Sequence, residues 1–261
     1  PTGTETATNL QGSAIINPAT GTWILVNGNG TIVDPSDPNT AVIGLPVGEH
    51  LFQWTVSNGP CANSLTSDEV IIRVYDENNL DADAGPDQQV CTPETSATMA
   101  GSVLIFPAFG TWTLVSGQGT ILDPNDPATV IEDLGLGVNE FQWEVYNGSC
   151  ANSLTSDIVT IVLFDVQAPA ADAGADQELC APDDTAIITG NDPVGAAVGT
   201  WTLAGGTGVI ADPASPSTTV TGLTIGENIF RWTITSGVCV TTEDEVSIFV
   251  FDPMNADANA G

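Results

Sequence analysis

Few residues of this chain have the means to do chemistry. Its 261 residues include five cysteines, one histidine, two arginines, no lysine, and 33 aspartates and glutamates. A nucleophile paired with a base needs a positioned histidine or lysine in most versions. His50 is the one histidine, and the positions 89 and 178 residues further on hold Asn139 and Asn228. A titrating role is not kept along that series, so His50 reads as an exposed substitution without a task. Carboxylate pairs that could hydrolyse a glycoside can be drawn. The acids recur in turns and junctions, however, whereas a catalytic pair belongs to one cleft. The expectation is that the chain is not an enzyme and requires no cofactor.

The cysteines suggest structural chemistry instead. Cys91 and Cys150 stand 59 residues apart, and so do Cys180 and Cys239. The same separation twice predicts two disulfides, Cys91–Cys150 and Cys180–Cys239, with Cys61 left unpaired. By the chain-entropy argument each would contribute about 4 kcal/mol. Such bonds persist in oxidising surroundings, which implies a secreted or cell-surface protein. Zinc is a weak reading, since no close Cys-x-x-Cys pair or second histidine is present.

The acids offer one further site. Asp76, Asp81, Asp83 and Asp87 crowd one stretch, and Asp165, Asp172 and Asp176 crowd its counterpart 89 residues later. Hard oxygen ligands converging there could hold Ca²⁺. The alternative is solvated acids that keep the chain soluble. The repeated Asp-Pro turns, Asp34 with Asp37 and Asp123 with Asp126, are explained by turn chemistry without a metal. With a formal net charge of −31, the chain repels nucleic acid and anionic membrane surfaces alike. No apolar stretch is long enough to span a membrane as a helix.

These residues are positioned by a repeat of 89 residues. Gly21-Thr22-Trp23 returns as Gly110-Thr111-Trp112 and as Gly199-Thr200-Trp201, and Trp54 returns as Trp143 and Trp232. All six tryptophans and all five cysteines lie on this ladder. The spacing predicts like units at 1–80 (its N-terminal strand truncated), 81–169 and 170–256, with 257–261 opening a linker to another. Within one unit, Phe141, Trp143 and Val145 alternate with Gln142 and Glu144, the signature of a half-buried strand. Asp123-Pro124-Asn125-Asp126-Pro127 is a turn. Seven or eight short strands per unit predict an all-β chain of three tandem immunoglobulin-like antiparallel sandwiches. Trp23, Trp54, Trp112, Trp143, Trp201 and Trp232 are the expected core. The short acidic junctions predict an elongated row.

Asp83-Ala84-Gly85-Pro86-Asp87-Gln88-Gln89-Val90 and Asp172-Ala173-Gly174-Ala175-Asp176-Gln177-Glu178-Leu179 resemble the opening of PKD-type domains. The Leu134, Gly137, Phe141, Trp143 pattern, with Gly-Thr-Trp-Thr upstream, resembles the PKD-like repeats of giant secreted adhesins of gliding bacteria that use type IX secretion. That resemblance implies an extracellular spacer, stalk or filament segment whose partners are neighbouring like repeats. A second reading is a module that binds surface glycan or protein through loops such as 102–109 and 191–198, which differ between copies. The near-identical stretch from Cys61 and its copy from Cys150 favours stacking or spacing.

Overall fold

The computed structural model describes residues 6–60, 64–78, 81–148 and 153–255. Cys61 and Cys150 lie outside the described residues. The described residues are all β, apart from one 3₁₀ turn at Pro253–Asn255. The first six strands are β1 (Thr6–Asn9), β2 (Thr20–Asn27), β3 (Thr31–Ile32), β4 (Ala41–Leu45), β5 (Gly48–Ser57) and β6 (Leu65–Val74). The next seven are β7 (Gln88–Cys91), β8 (Ala97–Thr98), β9 (Phe109–Ser116), β10 (Thr120–Ile121), β11 (Val130–Glu132), β12 (Gly137–Tyr146) and β13 (Leu154–Phe164). The last seven are β14 (Gln177–Cys180), β15 (Thr185–Thr189), β16 (Val198–Gly205), β17 (Val209–Ile210), β18 (Ser217–Thr221), β19 (Gly226–Ser236) and β20 (Val240–Phe251).

These strands form six small sheets: β2-β5-β6 with β1-β4-β3, β7-β13-β12-β9 with β10-β11-β8, and β14-β20-β19-β16 with β15-β18-β17. Each pair encloses one hydrophobic cluster, the layering of tandem sandwiches of the immunoglobulin and PKD kind. The clusters are called the first, second and third units below.

At the centre of each unit two tryptophans face each other across neighbouring strands: Trp23 and Trp54, Trp112 and Trp143, Trp201 and Trp232. All six are buried. The Gly-Thr-Trp motif has a packing cause. The second indole of each pair lies over the glycine, so a Cβ on Gly110 would overlap the Trp143 ring. The Asp-Pro turn has a cause as well. Its carbonyls accept the first indole N–H, from Trp23 to Pro38 at 3.3 Å, Trp112 to Asp126 at 3.2 Å and Trp201 to Pro216 at 3.0 Å.

Two expectations need correcting. The sandwiches are not wholly antiparallel, because β7 pairs with β13, and β14 with β20, in parallel. Each entering strand runs the same way as its partner and ends level with it, Cys91 with Phe164 and Cys180 with Phe251. His50 is not exposed but 2 % accessible. Its Nδ1 accepts the Asn29 N–H at 3.0 Å, and its Nε2 lies 2.8 Å from the Pro46 carbonyl. Asn139 does the same work with an amide. Its Oδ1 accepts the Gln118 N–H at 2.8 Å, and its Nδ2 donates to the Gly135 carbonyl at 2.8 Å. Asn228 repeats the pattern with Thr207 and Thr224. His50 is an amide mimic that ties a turn to the core, with Nε2 carrying the proton.

Candidate functional site

The feature with functional content is the joint between successive units. In the second unit the sheet ends where Cys91 of β7 lies opposite Phe164 of β13. The turn between β19 and β20 of the third unit reaches this end. Cys239 forms a disulfide with Cys91, with 5.7 Å between their Cα atoms. The Val238 N–H donates to Gln89 Oε1 at 2.9 Å. Gly237, at φ +52°, presses its bare Cα on the Phe164 ring, where a Cβ would collide. Phe164 is left 7 % exposed.

The joint between the first and second units is built from the same ladder positions. Tyr75 stands where Phe164 stands, and Gly148, at φ +61°, stands where Gly237 stands. A Cβ on Gly148 would strike the Tyr75 ring. Asn147 Nδ2 donates to the Asp76 carbonyl at 2.8 Å, and Tyr75 meets Tyr146 edge-on at 6.4 Å. Only glycine can offer both the left-handed turn and the flat approach.

The predicted disulfides are therefore corrected. Cys91 pairs with Cys239 across 148 residues rather than with Cys150, and Cys180 is a free, exposed thiol rather than the partner of Cys239. The parallel strand explains why. Cys91 lies level with Phe164, the last residue of β13, whereas Cys150 precedes Leu154, the first. The length of β13 separates Cys91 from Leu154, about 33 Å at the usual strand rise, and Cys91 is taken by Cys239.

The aspartates singled out for calcium are engaged with backbone. Asp76 accepts from Asn78 N–H, Asp83 from Gly85, Asp87 from Thr160, Asp165 from Gln167, Asp172 from Gly174 and Asp176 from Ser247, all at 2.8–2.9 Å. Asp81 is exposed. No group of three or more metal-ligating side chains comes together among the described residues. Asp157 and Asp244, which sequence reasoning missed, fasten the entering segments by accepting the N–H of Ala84 and Ala173. Both alanines are buried in the cores, so these stretches belong to the sandwiches and are not free linker. In the Asp-Pro turn of the first unit, the Ser36 hydroxyl and N–H both donate to Asp34 and hold its carboxyl below the ordinary range.

A groove of about 690 Å³ follows the outer edge of β6 in the first unit, lined by Leu10, Trp54, Ile72 and Tyr75 among others. It lies where the second and third units place β7 and β14. The two arginines are spent on exposed pairs, Arg73 with Glu49 and Arg231 with Glu243 and Glu245.

Residues 173–250 match the family described as "K319L-like, PKD domain". The chain is similar to the mouse dyslexia-associated protein KIAA0319 homolog, 25 % identical over 239 residues, covering 87 % of this chain and 22 % of that protein. It is 26 % identical over 221 residues to the mouse KIAA0319-like protein, covering 80 % and 21 %. The chain thus spans about a fifth of the length of these relatives. Among solved structures, the PKD domain from KIAA 1837 protein aligns with 36 % of this chain and 96 % of its own at 24 % identity, with a TM-score of 0.30. The chain is built of PKD- and immunoglobulin-like β-sandwiches joined in tandem. Its one histidine is consumed in the core, and its arginines are paired at the surface.

Proposed function

We propose that this segment is an extracellular spacer, a piece of stalk from a longer adhesin-type surface protein. Three sandwich domains, with boundaries near 1–80, 81–169 and 170–256, follow one another in an elongated row. The observation that carries this reading is the joint, an aromatic seated on a bare glycine turn, built at both junctions from the same ladder positions. One of the two is also closed by the Cys91–Cys239 disulfide. Packed and cross-linked junctions hold units at a fixed spacing, which is what a spacer must do.

The chain is secreted or displayed at a cell surface, because a structural disulfide persists where thiols are oxidised. The high negative charge keeps a long array soluble and apart from other polyanions. The further suggestion of a type IX-secreted adhesin of gliding bacteria rests on the Asp-Ala-Gly and Gly-Thr-Trp motifs alone. A glycan-binding role would have to use loops, since all six indoles are buried and none is free to stack on a sugar.

Small-angle scattering tests the row. Strands of about 11 residues make units some 36 Å long, so three in line have a radius of gyration near 30 Å. A compact chain of this length would give about 18 Å. The lower value would overturn the stalk reading.

A further inference from the structure

The third unit carries the same docking face as the second, and among the described residues no turn is seated on it. Phe251, the ladder counterpart of Phe164 and level with Cys180 across β14 and β20, is 45 % exposed where Phe164 is 7 %. Cys180, the counterpart of Cys91, is a free and exposed thiol. Glu178 replaces Gln89 and keeps a side-chain oxygen able to accept a turn N–H as Gln89 accepts that of Val238. The matching turn lies on the first unit. Gly59 is the counterpart of Gly148 and Gly237, with the same left-handed backbone at φ +77°, yet a Cβ there would meet nothing within 4 Å. In sequence Gly59 is followed two residues later by Cys61, as Gly148 is by Cys150 and Gly237 by Cys239. Among the described residues, the two halves of such a joint on the first and third units therefore have no partner, while the copies between units are filled.

We infer that the face formed by Cys180, Glu178 and Phe251 is a docking site for the glycine turn of a further repeat of this kind, closed by a disulfide from Cys180 to that turn's cysteine. The inference rests on the stalk reading and names its joint. A second copy of this chain supplies the occupant, its Gly59 seating on Phe251 and its Cys61 meeting Cys180. Bond formation needs an oxidant, and a small-molecule disulfide suffices. One thiolate attacks it and releases one small thiol. The second thiolate then attacks the mixed disulfide, forms the Cys180–Cys61 bond and releases the other. Two protein thiols lose two electrons in all, and the small disulfide is reduced to two thiols.

The whole 261-residue chain is incubated in a glutathione redox buffer, resolved without reductant and mapped by mass spectrometry. The expected result is a ladder of head-to-tail oligomers joined by Cys61–Cys180 peptides and abolished by Cys180→Ser or by Cys61→Ser. Phe251→Ala keeps both thiols, removes the aromatic ring, and should slow ladder formation at least about tenfold. No ladder, bonds of Cys180 to Cys180 or to Cys150, or an unchanged rate in Phe251→Ala would overturn the docking face. Scattering on the Cys180→Ser monomer separates the two readings. An extended monomer that forms no ladder leaves the row standing and removes only the joint, whereas a compact monomer removes the row itself.

Discussion

Trp112 and Trp143 sit directly opposite each other on β9 and β12, their ring centroids 4.9 Å apart and their planes tilted by 37°. The first and third units repeat the pair at 5.1 and 5.0 Å. Each second indole is fixed from three sides: by its partner ring, by the glycine beneath it, and by a hydrogen bond, from Trp143 Nε1 to Ser102 Oγ at 3.2 Å in the second unit. Replacing Trp143 by Ala removes all three contacts. Denaturant unfolding should show a loss of about 3–5 kcal/mol. A loss under about 1 kcal/mol would contradict the packing.

The cross-link makes a sharp analytical prediction. Peptide mapping of secreted material without reduction should recover Cys91 joined to Cys239 and no peptide joining Cys180 to Cys239. A peptide joining Cys91 to Cys150 would overturn the Cys91–Cys239 pairing. Reduction should lower the melting temperature, because the bond closes a loop of 148 residues. By chain entropy alone such a loop contributes roughly 5 kcal/mol.

His50 should accept only one kind of replacement. Asn stands at both other ladder positions and can reproduce the acceptor and the donor, so His50→Asn should change stability by less than about 1 kcal/mol. His50→Leu leaves the Asn29 N–H and the Pro46 carbonyl without their partner. Both bonds are part-buried, so each one lost should cost about 1 kcal/mol, and thermal melting of the two variants should separate them. Equal melting temperatures would refute the amide-mimic assignment.

Calcium offers a fourth test. The junction carboxylates already accept backbone N–H groups, so melting curves with excess Ca²⁺ and with chelator should coincide within about 1 °C. A rise of several degrees with Ca²⁺ would mean that a bound ion stabilises the native chain.

The fold was largely legible from the sequence, because its signals are local and periodic. The alternation around Trp143 and the Pro-bracketed turn at Asp123–Pro127 are each decided by neighbouring residues. What escaped was direction and register. A ladder with a period of 89 residues cannot distinguish a bond from Cys91 to Cys150 from one to Cys239, since both satisfy it equally. The deciding fact is that β7 runs parallel to β13, and four residues of strand carry no mark of the partner they will choose. His50 escaped for another reason. Its place in the fold is decided by having an acceptor and a donor at the two ends of a flat group, which residue type alone does not announce. Asp157 and Asp244 were hidden among many acids and stand out only when Ala84 and Ala173 are seen to need partners.

The Cys91–Cys239 bond also changes how this protein bears load. A pull on its two ends enters through β7, crosses the sulfur bridge and leaves through β20. Everything between Cys91 and Cys239 then hangs as a side loop outside the tensioned backbone, including the connection between the second and third units. Those 148 residues would span about 500 Å if drawn out, and the bridge keeps that length in reserve. A protease cut anywhere within the loop would leave the two ends covalently joined, so the segment keeps its grip until a reductant reaches the one bond that carries the strain.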